Sequence, residues 1–145
     1  MIEAIPAGGR IALDTVVFIY FLERRDPFGV RATQLFERIE AGELPATMSS
    51  LVLAELLVPL YRSGRQHDAS NLTRRLQHFR HLDIIPVGDE IAADAARLRA
   101  QYRLRTPDAI HAATALAANA TGIVTHDQAF FALQGELAIW TFQHG

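Results

Sequence analysis

A chain of 145 residues, half of them hydrophobic and 21% charged, has the size and balance of one ordinary domain with a single sizeable core. It contains no cysteine and all 14 basic residues are arginine, which excludes disulfides, zinc–thiolate sites, thiol nucleophiles, Schiff-base lysines and a lysine-bearing phosphate loop. The net charge of −2 argues against bulk attraction to nucleic acid, and no apolar run reaches the length of about 18 residues that a membrane span needs.

Arg10–Leu13 predicts a strand, with a turn at Asp14-Thr15 and a helix from Val16 to about Arg24. Asp26-Pro27 predicts a second helix start, Asp26 as N-cap and Pro27 at the first helical position, and Gly42 ends that helix. A short strand over Leu44–Met48 leads to Ser49-Ser50, which caps a helix from Leu51 to about Arg62 with a kink expected at Pro59. An Arg-rich amphipathic helix follows Ser63-Gly64 and runs to about Arg80. His81–Val87 supplies a third strand, and Gly88-Asp89 begins a helix that ends near Tyr102. Thr106-Pro107-Asp108 opens the next helix, which stops at Asn119–Gly122. Gly122–Thr125 is a fourth strand, Gln128–Leu133 a short helical piece, and Ala138–Phe142 a fifth strand. Strands alternating with helices predict an α/β fold, a parallel sheet covered on both faces. No repeat or linker divides the chain, so residues 1–145 read as a single domain. MIEAIPAGGR shows no secretory leader, and with no cysteine a reducing cytoplasm is the expected location.

The charge is unevenly spread. Residues 1–61 carry five Arg against eight acids, residues 62–105 nine Arg against five acids, and residues 106–145 three acids and no Arg. The basic middle third is either a set of solvated helix faces or a surface for a phosphate backbone.

Four acids stand where surface acids rarely do. Asp14 ends strand one inside the apolar IALDTVVFIYFL, and Asp127 follows strand four. Asp108 lies in the first turn of its helix, and Glu55 just over one turn into SSLVLAELLVPL. In a parallel α/β sheet, strand C-termini and the helix N-termini that follow share one edge, where ligands bind. Each acid alone has a structural explanation, such as complementing a helix dipole or capping a helix. Together they would repel one another unless a cation joined them, and oxygen-only ligands suit Mg²⁺ or Mn²⁺. The expected chemistry is metal-assisted hydrolysis of a phosphodiester.

Leu13-Asp14-Thr15 before an apolar helix, Ser50…Glu55, Thr106-Pro107-Asp108-Ala109-Ile110-His111-Ala112-Ala113 and Val124-Thr125-His126-Asp127…Phe130 resemble PIN-domain proteins. They are most similar to the VapC ribonuclease toxins of toxin–antitoxin pairs, and the likeness runs from about Ile11 to Phe142. The resemblance implies an α/β/α sandwich with a five-stranded parallel sheet. It also implies a Mg²⁺- or Mn²⁺-dependent ribonuclease acting on RNA, inhibition by a small antitoxin, and homodimers. By the same likeness, Asp14, Glu55, Asp108 and Asp127 are the metal ligands and catalytic residues, supported by Thr15, Ser50 and Thr125. The chain departs from the pattern at Val16, where the family has an amide, and at His126, where a small or amide residue is commoner. Its N-terminal extension, residues 1–9, is longer than the family's and is expected to be flexible. Alternatives are a housekeeping PIN nuclease in RNA maturation, or a PIN-like scaffold that binds a partner without catalysis.

Several other residues carry weaker signals. His111, three residues after Asp108, shares a helix face with it and is expected to be packed and hydrogen-bonded. Gln77–His81 lacks the spacing of a zinc site and reads as a helix end, and Trp140 and Phe142 read as core. Phe18, Tyr20, Phe21 and Phe28 are candidates for an exposed dimer or antitoxin patch.

Overall fold

The computed structural model describes residues 1–142. Its strands are β1 (Ile11–Leu13), β2 (Ala46–Ser49), β3 (Leu82–Ile85), β4 (Gly122–Thr125) and β5 (Ala138–Thr141). Its α-helices are α1 (Thr15–Glu23), α2 (Phe28–Glu40), α3 (Leu51–Arg62), α4 (Gln66–Gln77), α5 (Asp89–Tyr102) and α6 (Thr106–Ala117), with 3₁₀ turns at Ile2–Ala4 and Gln128–Leu133. All strand pairings are parallel, in the order β3-β2-β1-β4-β5. This is the five-stranded α/β arrangement that the alternation of strand and helix signals predicts. None of the described helices is long and apolar enough to cross a membrane.

Alternation along the strands divides the core in two. Ile11 and Leu13 of β1 and Val124 of β4 point into one apolar layer, with Phe18 of α1, Phe36 of α2 and Leu76 of α4. Ala12 and Ile123 point the other way, into a layer with Leu98 of α5, Ala109 and Ala112 of α6, and Phe130. A period of two along a strand buried on both faces requires this split. Gly122 opens β4 where a Cβ would meet the Ala138 carbonyl oxygen at 2.4 Å and Trp140 Nε1 at 2.8 Å, so a side chain there would push β5 away.

Several expectations are corrected. Residues 1–9 are not a flexible arm: Ile2 and Ile5 are buried in the first layer, Arg38 Nη2 donates to the Ile5 carbonyl at 2.8 Å, and the Gly8 N–H donates to the Glu43 carbonyl at 3.0 Å. The two isoleucines supply apolar area that α2 would otherwise leave wet. Phe18 and Phe21 form no exposed patch, since both are buried and Phe21 stacks on Phe36 at 4.0 Å between centroids. The basic third is not one surface, because α4 packs on one face of the sheet and α5 on the other. Arg65 and Arg97 are held in ion pairs with Asp68 and with Asp94 and Glu136.

At the helix ends, α2 begins at Phe28 with Pro27 as its N-cap after a cis Asp26–Pro27 bond, so Asp26 does not cap it. Helix α4 stops at Gln77, and His78 and His81 bind the Arg74 and Glu40 carbonyls as a helix end would. Helix α3 runs unbroken through Pro59 in its last turn. Trp140 is half-buried and Phe142 fully buried.

Candidate functional site

In a sheet of this order the chain passes outward from β1 through β2 to β3, then returns to place β4 on the other side of β1. The crevice between the C-terminal ends of β1 and β4 is therefore the switch point, where flanking loops diverge and leave room for a ligand. Asp14 ends β1 there and Thr125 ends β4.

Asp14 is the N-cap residue of α1 and is 8% exposed. Its Oδ1 accepts the Thr15 N–H at 2.8 Å, and its Oδ2 accepts the Thr125 hydroxyl at 2.7 Å. Burial nevertheless dominates and holds the Asp14 carboxyl above the ordinary carboxylate range, against the pull of His111 and these two bonds. Thr125 is fully buried, and while donating to Asp14 its hydroxyl also accepts the Asp127 N–H at 3.1 Å. One side chain thus fixes both the acid after β1 and the acid after β4. Asp127 in turn caps the 3₁₀ turn Gln128–Leu133, its Oδ1 taking the Ala129 N–H at 2.9 Å. The capping role and a place on the cleft are held by the same carboxylate.

Asp108 sits in the first turn of α6 and is 5% exposed. Arg105 precedes it by three residues and donates through Nε to Asp108 Oδ2 at 3.1 Å. The same guanidinium stands 3.9 Å from Asp127 Oδ2 while its side chain remains 75% exposed. Arg105 therefore neutralises part of the charge of two acids from the solvent side.

Glu55 projects from α3 across the cleft. Thr15 Oγ1 donates to Glu55 Oε1 at 2.7 Å, and His111 Nε2 lies 2.7 Å from the same oxygen. That nitrogen is also 3.2 Å from Thr15 Oγ1 and 3.7 Å from Asp14 Oδ1, so facing a carboxylate it is the ring nitrogen that carries the proton. The hydrogen bond to His111 holds the Glu55 carboxyl below its ordinary value, outweighing partial burial. Nδ1 of His111 is buried and has no hydrogen-bond partner among the described residues.

The four acids share one cleft of about 370 Å³, which Thr125 and His111 support from behind without lining it. Asp14, Thr15, Glu55, Asp108 and Asp127 form its acidic side, with Arg105 at the mouth. Val16, Ile19, Tyr20 and His126 complete its lining. The structure does not bring Ser50 to the cleft: its hydroxyl oxygen accepts the Val87 N–H at 3.2 Å and ties α3 to the connection after β3. Ser49, not Ser50, supplies the side chain at the start of α3, accepting the Leu51 N–H at 3.1 Å. Two members of the site, Arg105 and His111, were not among the residues assigned to it from sequence. The available signal was spacing, since both lie three positions from Asp108 on the same helical stretch.

The donors are suited to a hard divalent cation, which binds carboxylate oxygens and keeps part of its water. The burial of Asp14 is the second indication, because a cation beside a desolvated carboxylate would offset the cost of its charge. Among the described residues no group of three His, Asp or Glu is drawn close enough to share one ion, and Arg105 is the cation that engages Asp108 and Asp127.

The chain matches the PIN domain family over residues 11–136. No match was found among curated protein sequences. Its fold is similar to that of a toxin–antitoxin complex from Klebsiella pneumoniae, at 22% identity and a TM-score of 0.66 over 89% of this chain and 94% of that one. It is also similar to VapBC2 from Rickettsia felis bound to a promoter DNA fragment, at 20% identity and a TM-score of 0.68 over 92% and 99%. A third similar structure is a sarcin-ricin-loop-cleaving VapC toxin of Mycobacterium tuberculosis, at 17% identity and a TM-score of 0.67 over 88% and 96%. These likenesses show a common fold, and the family match covers most of the sequence: the chain belongs to the PIN-domain family.

Proposed function

We propose that this protein is a metal-dependent endoribonuclease, the toxin of a type II toxin–antitoxin pair, which hydrolyses RNA phosphodiester bonds. The observation that carries the reading is the meeting of Asp14, Glu55, Asp108 and Asp127 on one cleft at the switch point of the sheet. Structures of similar fold that are toxins or toxin–antitoxin complexes support it.

In this reading Asp14, Glu55, Asp108 and Asp127 hold Mg²⁺ or Mn²⁺. When bound, the ion supplies a water of lowered pKa and charge stabilisation at the phosphate. The chain's own residues set the rest. Thr125 and the Thr15 N–H fix both oxygens of Asp14, so that carboxylate presents one orientation to the cleft. His111 and Thr15 together hold Glu55 Oε1 and leave Oε2 for a ligand or a water. Arg105, exposed at the mouth, donates to a phosphate oxygen when the acids are otherwise engaged. Exposed Val58 and Tyr61 on α3 give an antitoxin or a second copy an apolar surface to cover, which supports the expected partners. An antitoxin-controlled ribonuclease without cysteines belongs in a reducing cytoplasm.

The experiment is RNA cleavage by the purified chain with Mg²⁺ or Mn²⁺, with EDTA, and with Asp14→Asn. Cleavage abolished by EDTA and by the substitution is expected, and a variant that cuts as well as wild type refutes the site. Growth arrest on expression, relieved by a small neighbouring gene, separates a toxin from a nuclease of RNA maturation.

A further inference from the structure

The apolar and aromatic part of the cleft lining has no role in holding a cation or a phosphate. Tyr20 and His126 meet there, with Tyr20 Oη 3.0 Å from His126 Nδ1 and the two rings edge-to-face at 5.6 Å. Both rings are backed from within. Phe28 lies 4.9 Å from Tyr20 and 4.8 Å from His126, and buried Phe142 lies 5.1 Å and 6.3 Å from them. The pair is thus locked by a hydrogen bond and by packing, yet both side chains remain half-buried and line the cleft. Ile19, 37% exposed, and half-buried Val16 continue the wall along the first turns of α1. The two positions at which the sequence departs from the pattern it resembles, Val16 and His126, therefore fall on one surface.

We infer that this wall is a nucleobase subsite: the base beside the phosphodiester cut at the acidic rim packs against Tyr20, His126, Ile19 and Val16. The assignment rests on the ribonuclease reading for the identity of its ligand. Its basis is the chemistry of the lining. Among the described residues Arg105 is the single arginine lining the cleft, so the cleft's side chains offer few direct contacts to a phosphate backbone. Stacking and apolar contact work without charge, because every base has a π-face. A preformed aromatic pair also costs little ordering on binding. The wall shares its cleft with the acids, so an occupant of one is a neighbour of the other. The subsite is accordingly a determinant of where RNA is cut.

The test uses the full chain and short RNAs carrying a single 2-aminopurine in each flanking-dinucleotide context, titrated in Ca²⁺. Quenching of 2-aminopurine at one position is expected. Ile19→Ala, His126→Leu and Tyr20→Leu should remove the quenching and weaken binding roughly 5- to 150-fold, the worth of one stacked base, while Mn²⁺ affinity stays at the wild-type value. Ile19 is exposed, and its truncation tests the surface without disturbing the core. Quenching at no position, or quenching that survives all three variants, overturns the subsite. RNA cleavage without quenching refutes this inference and leaves the ribonuclease standing. Wall-dependent quenching without metal-dependent cleavage supports the subsite and refutes the ribonuclease.

Discussion

Thr125→Val tests the joint between the two halves of the site. Valine matches threonine in shape, so the substitution deletes a hydroxyl and leaves little cavity. Two hydrogen bonds are lost: the 2.7 Å donation to the buried Asp14 carboxylate and the 3.1 Å acceptance of the Asp127 N–H. A bond to a charged group contributes about 1.5–3 kcal/mol and a neutral one about 0.5–1.5 kcal/mol, so a loss of about 2–4 kcal/mol is expected. Thr125 also draws the Asp14 carboxyl down, so its removal raises that carboxyl further above its ordinary value. The assay is guanidinium unfolding in EDTA at neutral pH, comparing midpoints at equal m-value. A variant within about 0.5 kcal/mol of wild type, the range of ordinary surface changes, would refute the claim that this hydroxyl organises the site.

Asp14→Asn should alter the pH dependence of the metal-free protein. Burial raises the folded Asp14 carboxyl above its unfolded value of about 3.9, so the native state binds the extra proton and stability falls as pH rises from that value through the raised one. Relative to Asp14→Asn, wild type is expected to lose stability across that window and to run parallel above it, as measured by unfolding midpoints in EDTA. A constant difference from pH 4 to 8 contradicts the burial argument. Arg105→Ala frees Asp108 and Asp127 of their exposed partner, and Mn²⁺ affinity without RNA should rise roughly two- to fivefold, on the scale of an exposed ion pair, while RNA affinity falls. Calorimetry that shows weaker Mn²⁺ binding by Arg105→Ala would assign the arginine to the site's assembly instead. Ile5→Ala should destabilise by about 2–4 kcal/mol, because the N-terminal segment is core and not a free arm. A change near zero in its unfolding midpoint would show that the segment detaches without cost.

Much of the fold was readable because buried parallel strands and capped helices carry strong local signals. Short apolar runs ending in Asp14, Ser49 and Thr125 mark strand ends, and Thr106-Pro107 marks a helix start. What failed was information held in tertiary contact. Residues 1–9 read as a flexible extension, and only their packing beside α2 shows why Ile2 and Ile5 are core. The arginines of α4 and α5 are neighbours in sequence, yet the sheet stands between them. Phe18 and Phe21 lie one turn apart on α1 and could face water or core, and only their packing against Phe36 settles it. For the site, the four acids stand out as charges in apolar stretches, after strand ends or in a helix's first turn. Ser50 was drawn in by its place before Glu55, but its hydroxyl is taken by the Val87 N–H. His111 was expected to be packed and hydrogen-bonded, and it is, but its partner is the Glu55 carboxylate across the cleft. Spacing along α6 puts His111 beside Asp108, whereas the bond to α3 depends on how two helices meet.

The proposed function requires that the acids of this cleft share a divalent cation. Crystals of the protein soaked in Mn²⁺ and measured at the manganese absorption edge test it most directly. An anomalous peak ligated by Asp14 is expected, with Asp108 or Asp127 as a further ligand and Arg105 withdrawn from both. A cleft without manganese at millimolar concentrations, with Arg105 still bonded to Asp108, would contradict it.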